Sequence, residues 1–127
     1  MYTIENNKII RKEVKELSDK SVVRIINKLK QYDNAMQIKT RAKSNLVKDL
    51  VKSGALCVVK FNKVNSNDER ILTGKVISIN TDSLDCIDVE ILKGLRTHTN
   101  GSTDAYTNLK TGNILYIIKD KVKYIFV

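Results

Sequence analysis

Ile71-Leu72-Thr73-Gly74-Lys75-Val76-Ile77-Ser78-Ile79 is a run of β-branched and aliphatic residues interrupted by one glycine. Branched side chains pack well on a pleated surface, so the run favours an extended strand, predicted over Arg70–Asn80. A glycine inside a strand weakens it, and Gly74 therefore marks a bend or bulge where a small sheet curls. Four further strand-like runs surround it, separated by polar turns: Ala55–Asn62, Leu84–Leu92, Asn113–Lys119 and Lys121–Val127. The third run in chain order alternates, with Ile87, Val89 and Ile91 opposed to Cys86, Asp88 and Glu90. The last alternates too, with Val122, Tyr124 and Phe126 opposed to Lys121 and Lys123. Asn62–Glu69 reads as a polar hairpin loop and Lys119-Asp120-Lys121 as a tight turn.

Upstream of Gly54 the texture is helical. Ile10, Val14 and Leu17, then Val22, Ile25, Ile26 and Leu29, recur at spacings of three and four. Ser18 is a candidate N-cap followed by Asp19, so residues 8–31 form two helices, 8–17 and 19–31, or one helix with a weak joint. Gln31-Tyr32-Asp33-Asn34 is a break. Another helix starts at Ala35 or Ser44 and ends at Lys52, with Gly54 closing it as a C-terminal cap. The predicted fold class is thus α+β. Two or three N-terminal helices, in a basic region over 1–53, precede a five-stranded antiparallel, strongly bent small β-barrel over 54–127. A long polar loop, 93–112, interrupts the barrel. Loops of that length inside a compact domain are commonly functional.

Composition narrows the functional classes. The chain has 127 residues, no proline and five glycines, which excludes collagen-like and Pro-rich classes. No apolar run approaches the roughly 20 residues that span a bilayer, and the stretch from Met1 to Arg11 carries no apolar signal region. A cytoplasmic protein without membrane partners is expected. Cys57 and Cys86 stand far apart, and one histidine, His98, cannot complete a zinc site with them, so no metal or other cofactor is expected. Both cysteines read as apolar fillers of strands. Asp82, Asp85, Asp88 and Glu90 read as a solvated strand face rather than an acid–base pair. No catalytic signature appears, and the expectation is a protein that is not an enzyme.

The net charge is +9, and a basic protein is drawn to polyanions. Residues 1–55 carry ten Lys and three Arg against six acids, and residues 56–127 carry eight Lys and two Arg against eight acids. Lys39, Arg41, Lys43, Lys48 and Lys52 form the most basic stretch and are candidates to contact phosphates. From the polar loop, Arg96, His98, Tyr106 and Lys110 offer donors and one ring on which a base can stack.

Two resemblances follow from these runs. Residues from about Ser44 to Val127 resemble the Sm-like fold, and equally the SH3-like small barrels. Ile71–Ile79 is similar to the bent second strand of the Sm-like fold with its glycine, and Leu115–Ile125 to its last two strands around a short turn. The resemblance implies RNA contacts from an Asp and an Asn after the second strand and from an Arg-Gly step before the fifth. At those places this chain has Asn80-Thr81-Asp82-Ser83-Leu84-Asp85 and Lys119-Asp120, which match in part only. Leu17–Ile26 in turn resembles one helix of a winged helix-turn-helix. In that reading Thr40–Leu50 is the recognition helix, with Thr40, Arg41, Lys43, Ser44 and Asn45 facing DNA, and Gly54–Val59 enters the wing.

Three functions stay open on the sequence. The first is a non-enzymatic nucleic-acid-binding module, for RNA more than DNA, acting through phosphate contacts from the basic helical region and the polar loop. The second is an inhibitor of phage or mobile-element type that sequesters a small nucleotide signal or blocks a host protein. The third is a winged-helix DNA-binding regulator. Exposed strand edges also favour a homo-oligomer.

Overall fold

A computed structural model describes residues 4–34, 36–41, 43–63 and 68–127. Helices α1 (Ile4–Glu16) and α2 (Asp19–Lys30) open the chain. Ser18 separates them as an N-cap, its hydroxyl oxygen accepting from the Ser21 amide at 3.1 Å. A 3-10 turn (Gln31–Asn34) leads to strand β1 (Met36–Thr40), and α3 (Lys43–Val51) follows. Gly54, at φ +70°, returns its amide to the Val51 carbonyl at 3.1 Å and ends that helix. Then come β2 (Cys57–Asn62), β3 (Glu69–Ile79), β4 (Ser83–Asp88), the single turn α4 (Val89–Leu92) and β5 (Tyr106–Lys110). A 3-10 turn (Thr111–Asn113) connects β5 to β6 (Ile114–Lys119), and β7 (Val122–Phe126) completes the chain.

The strands form one seven-stranded sheet in the order β1-β7-β6-β2-β3-β4-β5. All neighbours are antiparallel except β1, which runs parallel to β7 with Met36 opposite Val122. Chain connectivity forces this sheet to curl. From β5 to β6 the chain crosses four strand spacings, about 19 Å if the sheet were flat. The steps from Lys110 to Ile114 reach about 14 Å fully extended, and less when wound as a 3-10 turn. Two irregularities supply curvature: register shifts between Val76 and Ser78 on β3 and between Lys60 and Phe61 on β2.

The expected five-stranded antiparallel barrel is therefore corrected to a curled, seven-stranded mixed sheet that is not closed. Among the described residues β5 and β6 share no ladder, and the sheet continues outward through β7 to β1. Two strands were missing from the sequence reading. In the sequence pattern Met36–Thr40 falls in a break or at a helix start, and β5 falls within the polar loop 93–112. Thr40, expected in a helix, ends β1. The strand expected over Leu84–Leu92 stops at Asp88, whose side chain caps α4 by accepting from the Ile91 amide at 3.2 Å. The hairpin loop expected at 62–69 lies partly outside the described residues.

The inner face of the curl is filled by Cys57, Val59, Phe61, Leu72, Leu84, Cys86, Leu109, Ile114 and Ile117, and α3 plugs it with Val47 and Val51. The two cysteines are free and act as small apolar fillers. Burial pushes the Cys57 thiol up to about 12, against a lowering from Lys119, and burial likewise raises that of Cys86. On the outer face α1, α2 and α4 cover one half, joining Val14, Val22, Ile26 and Val89 in one cluster and Ile77, Ile87 and Ile91 in another. Helix α2 also packs toward β2 and β6, where Val58 and Ile118 are buried, and β7 meets the 3-10 turn Gln31–Asn34.

Gly74 holds β3 against β4. A Cβ built there would lie 2.5 Å from the Ile87 carbonyl oxygen, a backbone atom that cannot rotate away. Gly74→Ala is therefore expected to destabilise the fold by about 1–3 kcal/mol in urea titration. The two-residue β6–β7 turn places Asp120 at φ +50° and Lys121 at φ +70°, a conformation costly for ordinary side chains. Lys121→Gly is expected to raise stability by about 1 kcal/mol in the same assay.

Candidate functional site

Two carboxylates that the sequence assigned to a solvated strand face are buried. Asp85 is 2% exposed and Asp88 fully buried. Asp85 accepts four side-chain hydrogen bonds. The Tyr106 hydroxyl and Asn108 Nδ2 donate to Oδ1 at 2.6 and 2.8 Å. Ser78 Oγ and Asn80 Nδ2 donate to Oδ2 at 2.8 and 3.1 Å. Burial alone raises the acid, but these four donors outweigh it and hold Asp85 at about 2. The knot ties β3 and the following turn to β4 and β5.

Asp88 organises a second cluster. Arg70 Nη2 on β3 donates to Asp88 Oδ2 at 2.9 Å, and Arg96 Nη2 reaches the same oxygen. Arg70 lies over the Phe61 ring with its guanidinium carbon 5.9 Å from the centroid, and its Nη1 meets Thr107 Oγ1 at 3.5 Å. Arg96 Nε stands 3.9 Å from Glu90 Oε2, and Lys30 Nζ of α2 is 3.8 Å from Glu90 Oε1.

These contacts set the course of residues 93–105. Lys93 Nζ donates to the Leu17 carbonyl at 2.7 Å and pairs with Asp19 at 3.1 Å, which anchors the start of the loop on the α1–α2 joint. Farther on the loop bonds itself. The His98 amide donates to the Ser102 carbonyl at 2.9 Å, and the Ser102 amide to Asn100 Oδ1 at 3.0 Å. His98 Nε2 lies 2.7 Å from the Asp104 carbonyl oxygen. A carbonyl only accepts, so that nitrogen carries the proton.

The loop walls a cleft of about 950 Å³. Val58, Ile71, Tyr116 and Ile118 line one side, and Arg96, Thr97, His98, Thr99 and Asn100 the other, with Lys30, Lys63 and Arg70 at the margins. Strand register sets Lys60 opposite Tyr116, Ile125 opposite Tyr116, and Lys39 opposite Ile125, so these share the outer face. Lys123 and Gln37 pair on that face as well. The Tyr116 ring has Lys123 Nζ 4.2 Å and Lys60 Nζ 5.9 Å from its centroid.

Of the residues the sequence nominated, Arg96, His98 and Tyr106 are brought together in the cleft. Lys110 is exposed on β5 and does not line it. Lys39 stands on β1, on the same sheet face as Tyr116, and Arg41 is exposed just beyond that strand. Lys48 and Lys52 lie on and just after α3, away from the cleft, Lys52 with Asp49 at 3.7 Å. The side chain of Lys43 lies outside what the structure describes. Asn80, one of the positions the Sm-like resemblance pointed to, is spent on Ser83 and Asp85. Sequence reasoning missed Arg70, Lys60, Tyr116 and Lys123. The signal available was the pairing of basic and aromatic residues within β6 and β7. Among the described residues no group of three His, Cys, Asp or Glu side chains is placed to hold a metal ion, and no helix is long and apolar enough to cross a membrane. Comparisons with protein-family models, with curated proteins and with solved structures found no match.

The depressed Asp85 fixes a pH dependence. Its folded value lies below the ordinary 3.8, so its stabilisation is complete above 3.8 and is lost as pH falls through about 2. Asp85→Asn is expected to cost about 2–3 kcal/mol at neutral pH and to flatten the acid limb of stability over that window, read by urea unfolding at stepped pH.

Proposed function

We propose that the protein is a non-enzymatic module that binds single-stranded nucleic acid, RNA in preference to DNA, on the outer face of the sheet. The observation that carries this reading is Tyr116 at the cleft, with Lys123 and Lys60 ranged about its ring and Lys39 in register on the same face. A ring flanked by ammonium groups suits one nucleotide step: the base stacks on the ring, and the Lys123 ammonium moves a short way to the adjoining phosphate, Lys60 being paired with Glu69 at 2.8 Å. Ile71, exposed on the cleft wall, offers apolar contact that suits unpaired bases better than a duplex, whose bases are hidden. The hydroxyls of Thr97 and Thr99 on the loop wall offer partners for the ribose 2′-OH, which favours RNA. This moves the phosphate contacts from the helical stretch around Lys48 to the sheet.

Fluorescence anisotropy with short labelled RNA, tested across a salt series, checks the reading. Affinity is expected to fall steeply with salt, because neutralised phosphates release counterions. Tyr116→Ala is expected to weaken binding about tenfold, since stacking on an aromatic ring is worth about 1–3 kcal/mol per base, whereas Tyr116→Phe keeps the ring and the affinity. Lys123→Ala should lower both affinity and salt slope, with Lys48→Ala and Lys52→Ala unchanged. Equal binding by Tyr116→Ala, Lys123→Ala and the unaltered protein would overturn the assignment.

A further inference from the structure

We infer that the end of the cleft built by Arg70 and Arg96 is a site for a phosphomonoester, the phosphate of a nucleotide; the inference rests on the nucleic-acid reading and sharpens it. Both guanidiniums reach one oxygen, Oδ2 of a fully buried carboxylate. Their Nη2 atoms are therefore no more than about 6 Å apart, two hydrogen-bond lengths. The other carboxylate oxygen is committed to the Ile91 amide. One negative charge thus orients two positive groups; of the five N–H donors on each guanidinium Asp88 takes one, Thr107 meets another on Arg70, and the Arg96 Nε faces Glu90. Both side chains line the cleft, Arg70 14% and Arg96 30% exposed.

Charge and shape select the ligand. Lys30, Arg70 and Arg96 face Asp88 and Glu90, three positive groups against two negative. Over the whole cleft bases and acids are nearly balanced, so this local surplus of one favours an anion through where its donors point. Glu69, next to Arg70 on β3, is paired with Lys60 at 2.8 Å. Two guanidinium forks present more donors than a carboxylate can accept, and they match the three terminal oxygens of a phosphomonoester. The cleft is also far larger than a lone anion requires and carries the Tyr116 ring. A nucleotide fills both requirements, its phosphate at the arginines and its base toward the aromatic floor. Such a phosphate arrives either on a free mononucleotide or at the end of a strand.

The test measures binding to inorganic phosphate, nucleoside, nucleoside 5′-monophosphate, and one RNA oligomer with 5′-hydroxyl, 5′-phosphate or 3′-phosphate ends, for the unaltered protein and for Arg96→Lys. This variant keeps the charge near Asp88 and removes the fork, and its thermal unfolding checks that it is folded. The expected result is that the monophosphate binds at least about tenfold tighter than the nucleoside, that one terminally phosphorylated oligomer outranks the hydroxyl form by a similar factor, and that Arg96→Lys abolishes both preferences. If oligomers bind with no regard to terminal phosphate and Arg96→Lys matches the unaltered protein, the phosphate site is refuted while the strand-binding reading stands. If monophosphates bind in an Arg96-dependent way and no oligomer does, the site stands and strand binding is refuted. Binding of none of these ligands refutes both.

Discussion

Two buried carboxylates three residues apart on one strand constrain this molecule more than any other feature. Asp85 and Asp88 on β4 carry charge into a region without solvent, where an unpaired carboxylate would cost several kcal/mol. The structure answers with different partners for each. Asp85 is met by neutral donors, two hydroxyls and two amides, so its charge is stabilised without a counter-ion. Asp88 is met by two arginines and a helix-capping amide. The donors come from β3, β5, the loop and α4, so satisfying two carboxylates fixes the relative position of four segments. Tyr106 and Arg96, read from sequence as free ligands for a phosphate or base, are the groups these acids recruit.

The cleft follows from the same economy of connections. A three-residue turn between β5 and β6 obliges the sheet to curl, and Gly74 lets β3 approach the β4 backbone as it does so. The curl seals its inner face with α3 and exposes the outer one. Helices α1 and α4 cover the part of that outer face that carries Ile77 and Ile87, and α2 packs toward β2 and β6. The remainder, carrying Tyr116 and Ile118, is roofed by a loop that Lys93 and Arg96 hold at its start. A loop of hydroxyl and amide residues thus acquires a defined course from two basic anchors and its own turn bonds.

Much of the fold was legible in local pattern. The two opening helices, the Ser18 cap, the helix end at Gly54 and five of the strands, β4 in part, follow from periodicity and capping chemistry. The rest depended on partners distant in sequence. β1 is five residues of weak alternation, and it becomes a strand because β7 offers an unpaired edge. β5 reads as loop since an edge strand needs only one buried side chain, here Leu109. At Val89–Leu92 the alternation of apolar residues suits a strand, yet Asp88 bends the chain into a helical turn and sends Val89 and Ile91 into separate clusters. The site suffered more. Asp88 falls in the alternation with Cys86 and Glu90 and Asp85 on the other face with Ile87, and only tertiary donors distinguish a buried acid from an exposed one.

Net charge and site chemistry are separate properties here. The molecule carries +9, yet the cleft is lined by Lys30, Lys63, Arg70 and Arg96 against Glu69, Glu90 and Asp104, nearly balanced. A diffuse excess over the surface attracts polyanions from a distance and is screened within about 8 Å at physiological salt. It therefore raises encounter rates and nonspecific affinity without choosing a ligand. Choice requires donors at fixed positions, and those occur where an acid holds a cation in place, as Asp88 holds Arg70 and Arg96. The acids of the cleft are thus compatible with an anionic ligand: they reduce its total positive charge and in exchange give the remaining donors a direction.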